Sequence, residues 1–247
     1  METDFSSRND VLVLVQARYL ASRLPGKVLM RAGSSTLLAQ VLFGLNADQT
    51  LVLGVLGRSD DPVASEVNRL GFNLFRGSES QVISRFHHAA LVSDAQWLIR
   101  ITADNPMTQK CFLSDAIKRL EDEGGDYLCP TGLPLGCGFE VFRRSTFLRM
   151  FSRPTLPAHW VEHVTPGLYE EGSTAIRVPL DAGYQDIAHL RLTVDSDLDL
   201  KLVNQVSEAL NLEPASITLP SLRELYIKNP QLFEMNQSVK QKGLFEA

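Results

Sequence analysis

Residues 11–27 read VLVLVQARYLASRLPGK and form the most informative segment of the chain. Its first five residues are apolar and prone to β-structure, which predicts a strand buried on both faces, as in a parallel sheet covered by helices. A short loop follows and ends at Pro25-Gly26. The loop carries three cations, Arg18, Arg23 and Lys27. The segment therefore predicts a core strand that delivers three positive charges to one place.

Three cations on one short loop suit a polyanionic ligand. Basic side chains neutralise phosphate oxygens, and Gly26 lets the backbone come close to the ligand. A nucleoside triphosphate therefore fits this loop. The alternative is a polar loop after a core strand, with its cations solvated. Spacing alone leaves both interpretations open.

The composition is that of an ordinary globular protein. Of 247 residues, 44% are hydrophobic and 21% are charged, which is enough apolar material to bury a core. No linker and no internal repeat divides the chain. We therefore expect a single domain over residues 1–247, with a core at about 11–210 and a helical tail at about 211–247.

Charge and hydropathy limit the partners of the chain. A formal net charge of −5 gives no general attraction to nucleic acid or to an anionic membrane. No apolar run approaches the roughly 18 residues of a membrane span, and the polar start METDFSSRND does not resemble a secretory signal. The three scattered cysteines match neither a disulfide framework nor a common zinc pattern. We expect a cytoplasmic protein that binds neither nucleic acid nor membrane.

Apolar β-prone runs alternate with amphipathic stretches through the first half of the chain. Strands are predicted at about 11–17, 51–57, 72–75 and 96–101, and helices at about 36–46, 61–70, 79–92 and 109–122. This alternation is typical of βαβ units with right-handed crossovers. It predicts an α/β fold in which a mostly parallel sheet is flanked by helices.

The second half is less regular. Strands are predicted near 126–129, 139–143, 174–179 and 190–194, and helices near 158–170 and 197–210. The tail at about 220–241 is expected to form one or two short helices that break at Asn229-Pro230.

Ligands of open parallel sheets bind beyond the carboxyl ends of the strands. The fourth predicted strand ends at Thr102 and leads into Asp104, and a late predicted strand, LRLTVD, ends at Asp195. Two carboxylates beside triphosphate oxygens form an oxygen-rich site suited to Mg²⁺. The alternatives are a turn residue before Pro106 for Asp104 and a helix cap for Asp195.

Three further residues carry weaker signals. Arg76 and Arg85 lie in RGSESQVISRF, where either could face a ligand, although Arg85 is expected to be solvated. His163 has no identifiable carboxylate or nucleophile beside it, which favours a structural residue over a catalytic base. The chain has neither a P-loop nor a G-x-G-x-x-G fingerprint, so a kinase or a dehydrogenase is poorly supported.

Six motifs in one order resemble a known family. They are Q-A-R-x-x-x-S-R-L-P-G-K, RGSE, RITADNP, EHVTP, RLTVD and the ending NPQLFEMNQSVKQK. The family is that of the SpsF-type cytidylyltransferases of spore-coat polysaccharide, whose wider relatives activate acidic sugars such as 3-deoxy-manno-octulosonate and neuraminate. The resemblance implies a Rossmann-like nucleotidyltransferase fold. It also implies Mg²⁺-dependent transfer of CMP from CTP to an acidic sugar or related acceptor, with release of pyrophosphate, in polysaccharide or glycoconjugate biosynthesis.

The resemblance also implies roles for individual residues. Arg18 and Lys27 would contact the triphosphate and carry catalysis, with Arg23 nearby. The remaining implied site residues are Ala17, Arg76 and Thr102 for the nucleotide, Asp104 and Asp195 for the metal, and Glu140 and His163 for the acceptor.

One segment departs from the family pattern. SpsF-type chains usually carry P-D-G-x-D-x-E-V, whereas residues 134–141 read PLGCGFEV, with Leu135 and Gly138 in place of the aspartates and Glu140 kept. This segment is expected to border the acceptor pocket. One alternative is therefore a nucleotide-binding or partner-binding protein that has lost its chemistry. Another is an enzyme that uses UTP or GTP, because triphosphate contacts do not depend on the base.

The acidic-sugar relatives are commonly dimers, so the resemblance also implies a homodimer. Large aromatic residues between 126 and 180 are candidates for the interface. They are Phe139, Phe142, Trp160 and Tyr169. The alternative, which we prefer for Phe142, is that these aromatic side chains form ordinary core.

Overall fold

The computed structural model describes residues 5–153 and 155–241. The strands are β1 Val11–Gln16, β2 Arg31–Ala32, β3 Ser35–Thr36, β4 Thr50–Val55, β5 Asn73–Gly77, β6 Trp97–Thr102, β7 Tyr127–Leu128 and β8 Glu140–Arg143. Six of them form one sheet in the order β5-β4-β1-β6-β8-β7, and β2 pairs with β3 in a small separate ribbon. The pairs β5–β4, β4–β1 and β1–β6 are parallel, whereas β8 is antiparallel to both β6 and β7.

Helices cover both faces of this sheet. They are α1 Leu37–Leu45, α2 Asp61–Arg69, α3 Val82–Val92, α4 Leu113–Asp122, α5 Arg144–Phe151, α6 Ala158–His163, α7 Asp197–Leu210 and α8 Leu219–Lys228. Side chains alternate along β1, so Val13 and Val15 pack with α1, α2 and α4, while Leu12 and Leu14 pack with α3, α5 and α6. This alternation explains why an unbroken apolar run forms the central strand.

The predicted elements of the first half are confirmed. Each of the four predicted strands and four predicted helices is present, with ends that differ by a few residues. Short 3₁₀ helices precede two of the four helices, at Arg58–Asp60 before α2 and at Lys110–Phe112 before α4.

The second half corrects the sequence-based prediction. The predicted strands at 174–179 and 190–194 are wrong, because these segments pair with residues 127 and 135 in the isolated bridges Tyr127↔Arg177 and Leu135↔Arg191 and do not join the ladder of the sheet. The predicted helix at 158–170 ends at His163, because Val164 adopts a left-handed φ of 73°, and a separate 3₁₀ helix, Pro166–Leu168, follows it. Helix α5 was not predicted.

A third cluster of apolar side chains lies under α7, α8 and the chain that follows them. The tail prediction is confirmed in that α8 ends before Pro230 and a 3₁₀ helix, Pro230–Glu234, continues the chain. Phe233 anchors this last helix in the third cluster. The predicted tail also includes residues 242–247, which lie outside the described residues.

The aromatic residues proposed for an interface mostly belong to the core of this chain. Phe139, Phe142 and Trp160 are buried within it, so the core interpretation of Phe142 is correct and the interface prediction is wrong for Phe139 and Trp160. Tyr169 is half-buried against the same core. Among the described helices, none combines the length and the apolar composition needed to cross a bilayer.

Candidate functional site

The cation loop, residues 17–27, leaves the carboxyl end of β1 and is held from below by one buried carboxylate. Asp60, at the start of α2, accepts a hydrogen bond from the backbone N–H of Tyr19 at 2.7 Å and another from that of Val55 at 2.7 Å. The N–H of Gly26 donates to the carbonyl of Tyr19 at 2.7 Å and closes the loop. Gly26 has φ 73°, a left-handed conformation that favours glycine.

Lys27 lies at the centre of the site, and its side chain is 8% exposed. The ammonium donates to Asp104 Oδ2 at 2.6 Å, to Asp195 Oδ1 at 2.8 Å and to the carbonyl oxygen of Val194 at 2.8 Å. These three oxygens use all three donors of the ammonium group. The structure therefore brings together Lys27 and the two carboxylates that the sequence placed far apart along the chain.

The two carboxylates reach Lys27 by different routes. Asp104 follows β6, whose parallel pairing with β1 continues through the bond from Ala103 N–H to the carbonyl of Gln16 at 2.9 Å. Asp195 does not end a strand of the sheet, which corrects the prediction. Its segment is extended beside residue 104 and is fixed by a 2.9 Å bond from Val194 N–H to the Asp104 carbonyl.

Opposite charges set the ionisation of this cluster. Burial alone would lower the pKa of Lys27, but the nearby charges of Asp104 and Asp195 outweigh it and raise this pKa above its ordinary value. Burial likewise opposes ionisation of Asp195, yet Lys27 and then Arg23 overcome it and hold the pKa of that carboxyl below its ordinary value. Lys27 and Asp195 are therefore both charged at neutral pH.

A cavity of about 420 Å³ opens above this cluster. Arg18 and Arg23 line it together with Lys27, so one cavity contains all three cations of the loop. The other predicted site residues that line it are Ala17, Thr102, Asp104, His163 and Asp195. A polyanion in this cavity would meet three positive charges and the carboxyl end of β1.

Two arginines of the RGSESQVISRF segment lie elsewhere. Arg76 donates to the carbonyl oxygens of Val55 and Gly57 and pairs with Asp61 at 2.8 Å, so the structure does not bring it to the cavity. Arg85 is buried rather than solvated, which corrects the expectation, and it donates to the carbonyl of Leu53 at 3.1 Å.

A second cavity of about 340 Å³ lies beside the first, and Thr102 lines both. Segment 134–141 forms much of its wall, including Leu135, Gly138 and Glu140. Glu140 pairs with Arg100 and accepts a 2.7 Å bond from the hydroxyl of Tyr127. The two predicted acceptor residues therefore lie in different cavities, Glu140 in the second and His163 in the first.

The oxygens around Lys27 also fit a divalent cation. Two carboxylates and one carbonyl converge on a point that a positive charge fills, and oxygen donors of this kind are those that Mg²⁺ prefers. Within residues 5–153 and 155–241, no three His, Cys, Asp or Glu side chains are grouped to hold a metal by themselves. A metal held by Asp104 and Asp195 would therefore need further oxygens from a ligand or from water.

Sequence reasoning missed the residues that support Asp195. Arg191 pairs with Asp195 Oδ2 at 2.6 Å and with Asp199 Oδ1 at 2.9 Å. Asp199 is buried, and its Oδ2 accepts bonds from the N–H groups of Asp195 and Ser196 at 3.0 and 2.9 Å. The S-x-x-D spacing of Ser196 and Asp199 is a capping-box signal that could have marked this carboxylate, but no local signal marks Arg191.

The sequence and the fold of this chain are similar to those of known proteins. The chain is 30% identical over 240 residues to the spore coat polysaccharide biosynthesis protein SpsF of Bacillus subtilis, covering 90% of this chain and 96% of that protein. A solved cytidylyltransferase of Leptospira borgpetersenii has a TM-score of 0.83 at 24% identity, covering 94% of this chain and 99% of that one.

A more distant likeness is to a CMP:2-keto-3-deoxy-manno-octonic acid synthetase solved with CTP. Its TM-score is 0.60 at 16% identity, and the match covers 81% of this chain and 99% of that chain. At this identity the likeness shows the fold alone. The profile of the cytidylyltransferase family matches residues 12–181, which include β1, the cation loop and Asp104. Because that match and the likeness to SpsF both extend over most of the chain, this protein belongs to the cytidylyltransferase family.

Proposed function

We propose that the protein transfers CMP from CTP to a hydroxyl group of a small acidic or hydroxylated acceptor, in polysaccharide or glycoconjugate biosynthesis. The observation that carries this proposal is the convergence of Lys27, Asp104 and Asp195 below one cavity that Arg18 and Arg23 also line. Membership of the cytidylyltransferase family and the name of the SpsF relative support the nucleotide and the pathway.

In this mechanism the acceptor oxygen attacks the α-phosphorus in line. A new oxygen–phosphorus bond forms, the bond from the α-phosphorus to the oxygen of the β-phosphate breaks, and pyrophosphate leaves. The proton of the acceptor hydroxyl passes to water. Arg18 and Lys27 hold the triphosphate and stabilise the charge that develops on its oxygens. The nucleoside lies against Ala17 and Thr102, which line the same cavity.

Lys27 has a second task in the protein without ligand. Its ammonium neutralises Asp104 and Asp195, which would otherwise repel each other and the incoming phosphates. When CTP binds, Lys27 exchanges carboxylate oxygens for phosphate oxygens, and Asp104 and Asp195 become available to hold Mg²⁺. When bound, Mg²⁺ would screen the negative charge of the triphosphate.

The acceptor is proposed to enter through the second cavity, which meets the first at Thr102. Glu140 is then placed to accept a hydrogen bond from an acceptor hydroxyl, while His163 lines the nucleotide cavity. Hydroxyl groups suit this second cavity because its wall offers a carboxylate and backbone groups.

The proposal is tested by measuring pyrophosphate release with Mg²⁺, each of the four NTPs and a panel of acceptors that includes 3-deoxy-manno-octulosonate and neuraminate. We expect release with CTP and at least one acceptor. Lys27→Ala is expected to lower the rate by a factor of about 100 or more, because a charge on the transferring phosphate is left unpaired.

The matched control is Lys201→Ala, which removes an exposed lysine of α7 and is expected to keep full activity. Unchanged turnover of Lys27→Ala would show that the site is elsewhere. The NTP that raises the melting temperature most identifies the nucleotide, because the tightest ligand stabilises the folded state most. A larger shift with UTP or GTP would replace CTP in the proposal.

A second candidate function is nucleotide binding without transfer. The observation in its favour is that the retained carboxylate, Glu140, is already engaged by Arg100 and Tyr127, and residues 135 and 138 supply no others. This candidate predicts CTP binding by calorimetry with no pyrophosphate release for any acceptor. Detection of a CMP conjugate would eliminate it.

A further inference from the structure

The chain after the last 3₁₀ helix returns to the active site. We call residues 235–241 the C-terminal strap. Gln241 lines the nucleotide cavity, and the carbonyl oxygen of Lys240 accepts a 3.0 Å bond from Arg23, one of the three cations of the loop. A segment more than 200 residues from β1 in sequence therefore forms part of the site wall.

The buried side chain of Asn236 anchors this strap to Arg191 and Asp199. It is 2% exposed, and its amide nitrogen donates to the carbonyl of Arg191 at 3.0 Å and to Asp199 Oδ1 at 2.7 Å. A buried amide that makes two bonds to charged or backbone partners is costly to remove, since its partners lose donors that water cannot replace.

Two further sets of contacts link Asn236 to the cations that are proposed to bind phosphate. Asp199 orients Arg191 and the backbone of Asp195. Arg191 and Arg23 then both pair with Asp195 Oδ2, at 2.6 and 2.7 Å, while Lys27 pairs with the other oxygen at 2.8 Å. Gln241 adds a second contact from the strap to Arg191.

We propose that the C-terminal strap is a positioning element of the nucleotide site, and that Asn236 is the positioning residue that holds Asp195, Arg23 and Lys27 in register for a polyphosphate. The inference rests on the proposed function in that it takes CTP as the ligand. It assigns no chemical step to the strap, because Asn236 acts only through Asp199 and Arg191.

The test compares full-length Asn236→Ala with Gln237→Ala, which truncates the exposed neighbouring side chain on the same strap. Dissociation constants for CTP and for CMP, each with Mg²⁺, are measured by calorimetry. We expect Asn236→Ala to weaken CTP about tenfold and CMP much less, because the loss falls on contacts to the longer phosphate chain. Gln237→Ala is expected to bind both nucleotides like the wild type.

A purely structural contribution of Asn236 would not change the ratio of the two affinities. Equal weakening for CTP and CMP, or unchanged CTP binding, therefore overturns the inference. If Asn236→Ala does not fold, Gln241→Ala carries the test, with an expected threefold loss for CTP (about 0.7 kcal/mol). Unchanged CTP binding by folded Gln241→Ala would also overturn the inference.

The binding measurement needs no acceptor, which separates this inference from the proposed function. A wild-type protein that binds CTP but never releases pyrophosphate counts against the proposed transfer reaction, and the strap is still tested by the affinities. A wild-type protein that does not bind CTP overturns both.

Discussion

Lys27 is held by partners from two distant parts of the chain, residue 104 and residues 194–195, and this makes it the residue on which the site depends. Its ammonium contacts oxygens of Asp104, Val194 and Asp195. A charge this buried is stable only because it is paired and fully hydrogen-bonded. Removing it leaves Asp104 and Asp195 facing each other without the cation that lies between them.

The free energy of unfolding should reveal this cluster through its pH dependence. The pKa of Asp195 is lowered in the folded chain, so its ion pairs contribute stability that is present above the ordinary value of 3.8 and is lost as pH falls through the lowered pKa. The pKa of Lys27 is raised in the folded chain. The stability that its ion pairs contribute is therefore fully present below the ordinary value of 10.5 and is lost as pH rises through the raised pKa.

We therefore expect Lys27→Met to lower the free energy of unfolding by about 3 kcal/mol at pH 7. The difference from the wild type should shrink below about pH 4, where protonation of Asp195 removes the repulsion. Urea unfolding at pH 7 and pH 3 measures both values, with Lys201→Met as the control. A difference of the same size at both pH values would contradict this account.

The cation loop shows how one element can be both short and rigid. Its entry is fixed by Asp60 through the N–H of Tyr19, and its exit is fixed by Gly26. A Cβ atom added at Gly26 would lie 3.2 Å from the ring of Tyr19, and the φ of 73° would disfavour any side chain there. The loop therefore needs glycine for its backbone conformation and for the space that Tyr19 leaves.

The substitution Gly26→Ala tests whether the geometry of the cation loop affects CTP binding apart from the effect of backbone strain on stability. We expect it to destabilise the fold by about 1–2 kcal/mol and to weaken CTP binding about tenfold, because the cations move with the loop. Gly71→Ala is the matched control, since Gly71 has φ 80° and open space around it. It should share the strain and keep CTP affinity. Equal CTP affinity for the two variants would contradict the prediction.

The predictability of these elements from sequence depended on the range of the interactions. The strand and helix pattern of the first half was predictable, because alternation and helical periodicity are local and each element packs on one of two faces. The predicted strands at 174–179 and 190–194 failed because β-prone residues form a strand only where a partner of matching length lies beside them. The helix break at Val164 had a local signal in Pro166, because a proline inside a helical pattern ends the helix near the residues before it.

At the scale of the whole molecule, the fold has one sheet with a core on each face and a third cluster under the C-terminal helices. The first two clusters support β1 and hence the cation loop. The third cluster supports α7 and the chain that leads to the C-terminal strap. The nucleotide site lies where the first and third clusters meet, so both should affect it.

Two buried phenylalanines test this division. Phe233→Ala in the third cluster and Phe147→Ala in the cluster on the far face should each lower the free energy of unfolding by about 3–4 kcal/mol. Only Phe233→Ala is expected to weaken CTP binding as well, by about fivefold, because the segment that holds Asn236 in place loses its packing. Chemical unfolding and calorimetry provide the two readouts. Equal CTP affinity for both variants would argue against a supporting role of the third cluster.

The homodimer implied by the family resemblance stays a prediction at this scale. Three of its four candidate aromatic residues are already used within the chain, and only Tyr169 keeps a partly exposed ring. Light scattering of the protein in solution measures the mass directly.

The fold class and the cation loop could be predicted from the amino-acid sequence alone, and so could the candidate residues for binding phosphate and metal. These features depend on local periodicity and on the chemistry of single side chains, both of which can be recognised in the amino-acid sequence. Which of those residues lie together became known from the folded chain. It joined Lys27 to Asp104 and Asp195, kept Arg76 out of the cavity, and brought Asn236 to the support of Asp195. Such contacts depend on where distant backbone segments cross, and no short-range pattern records that.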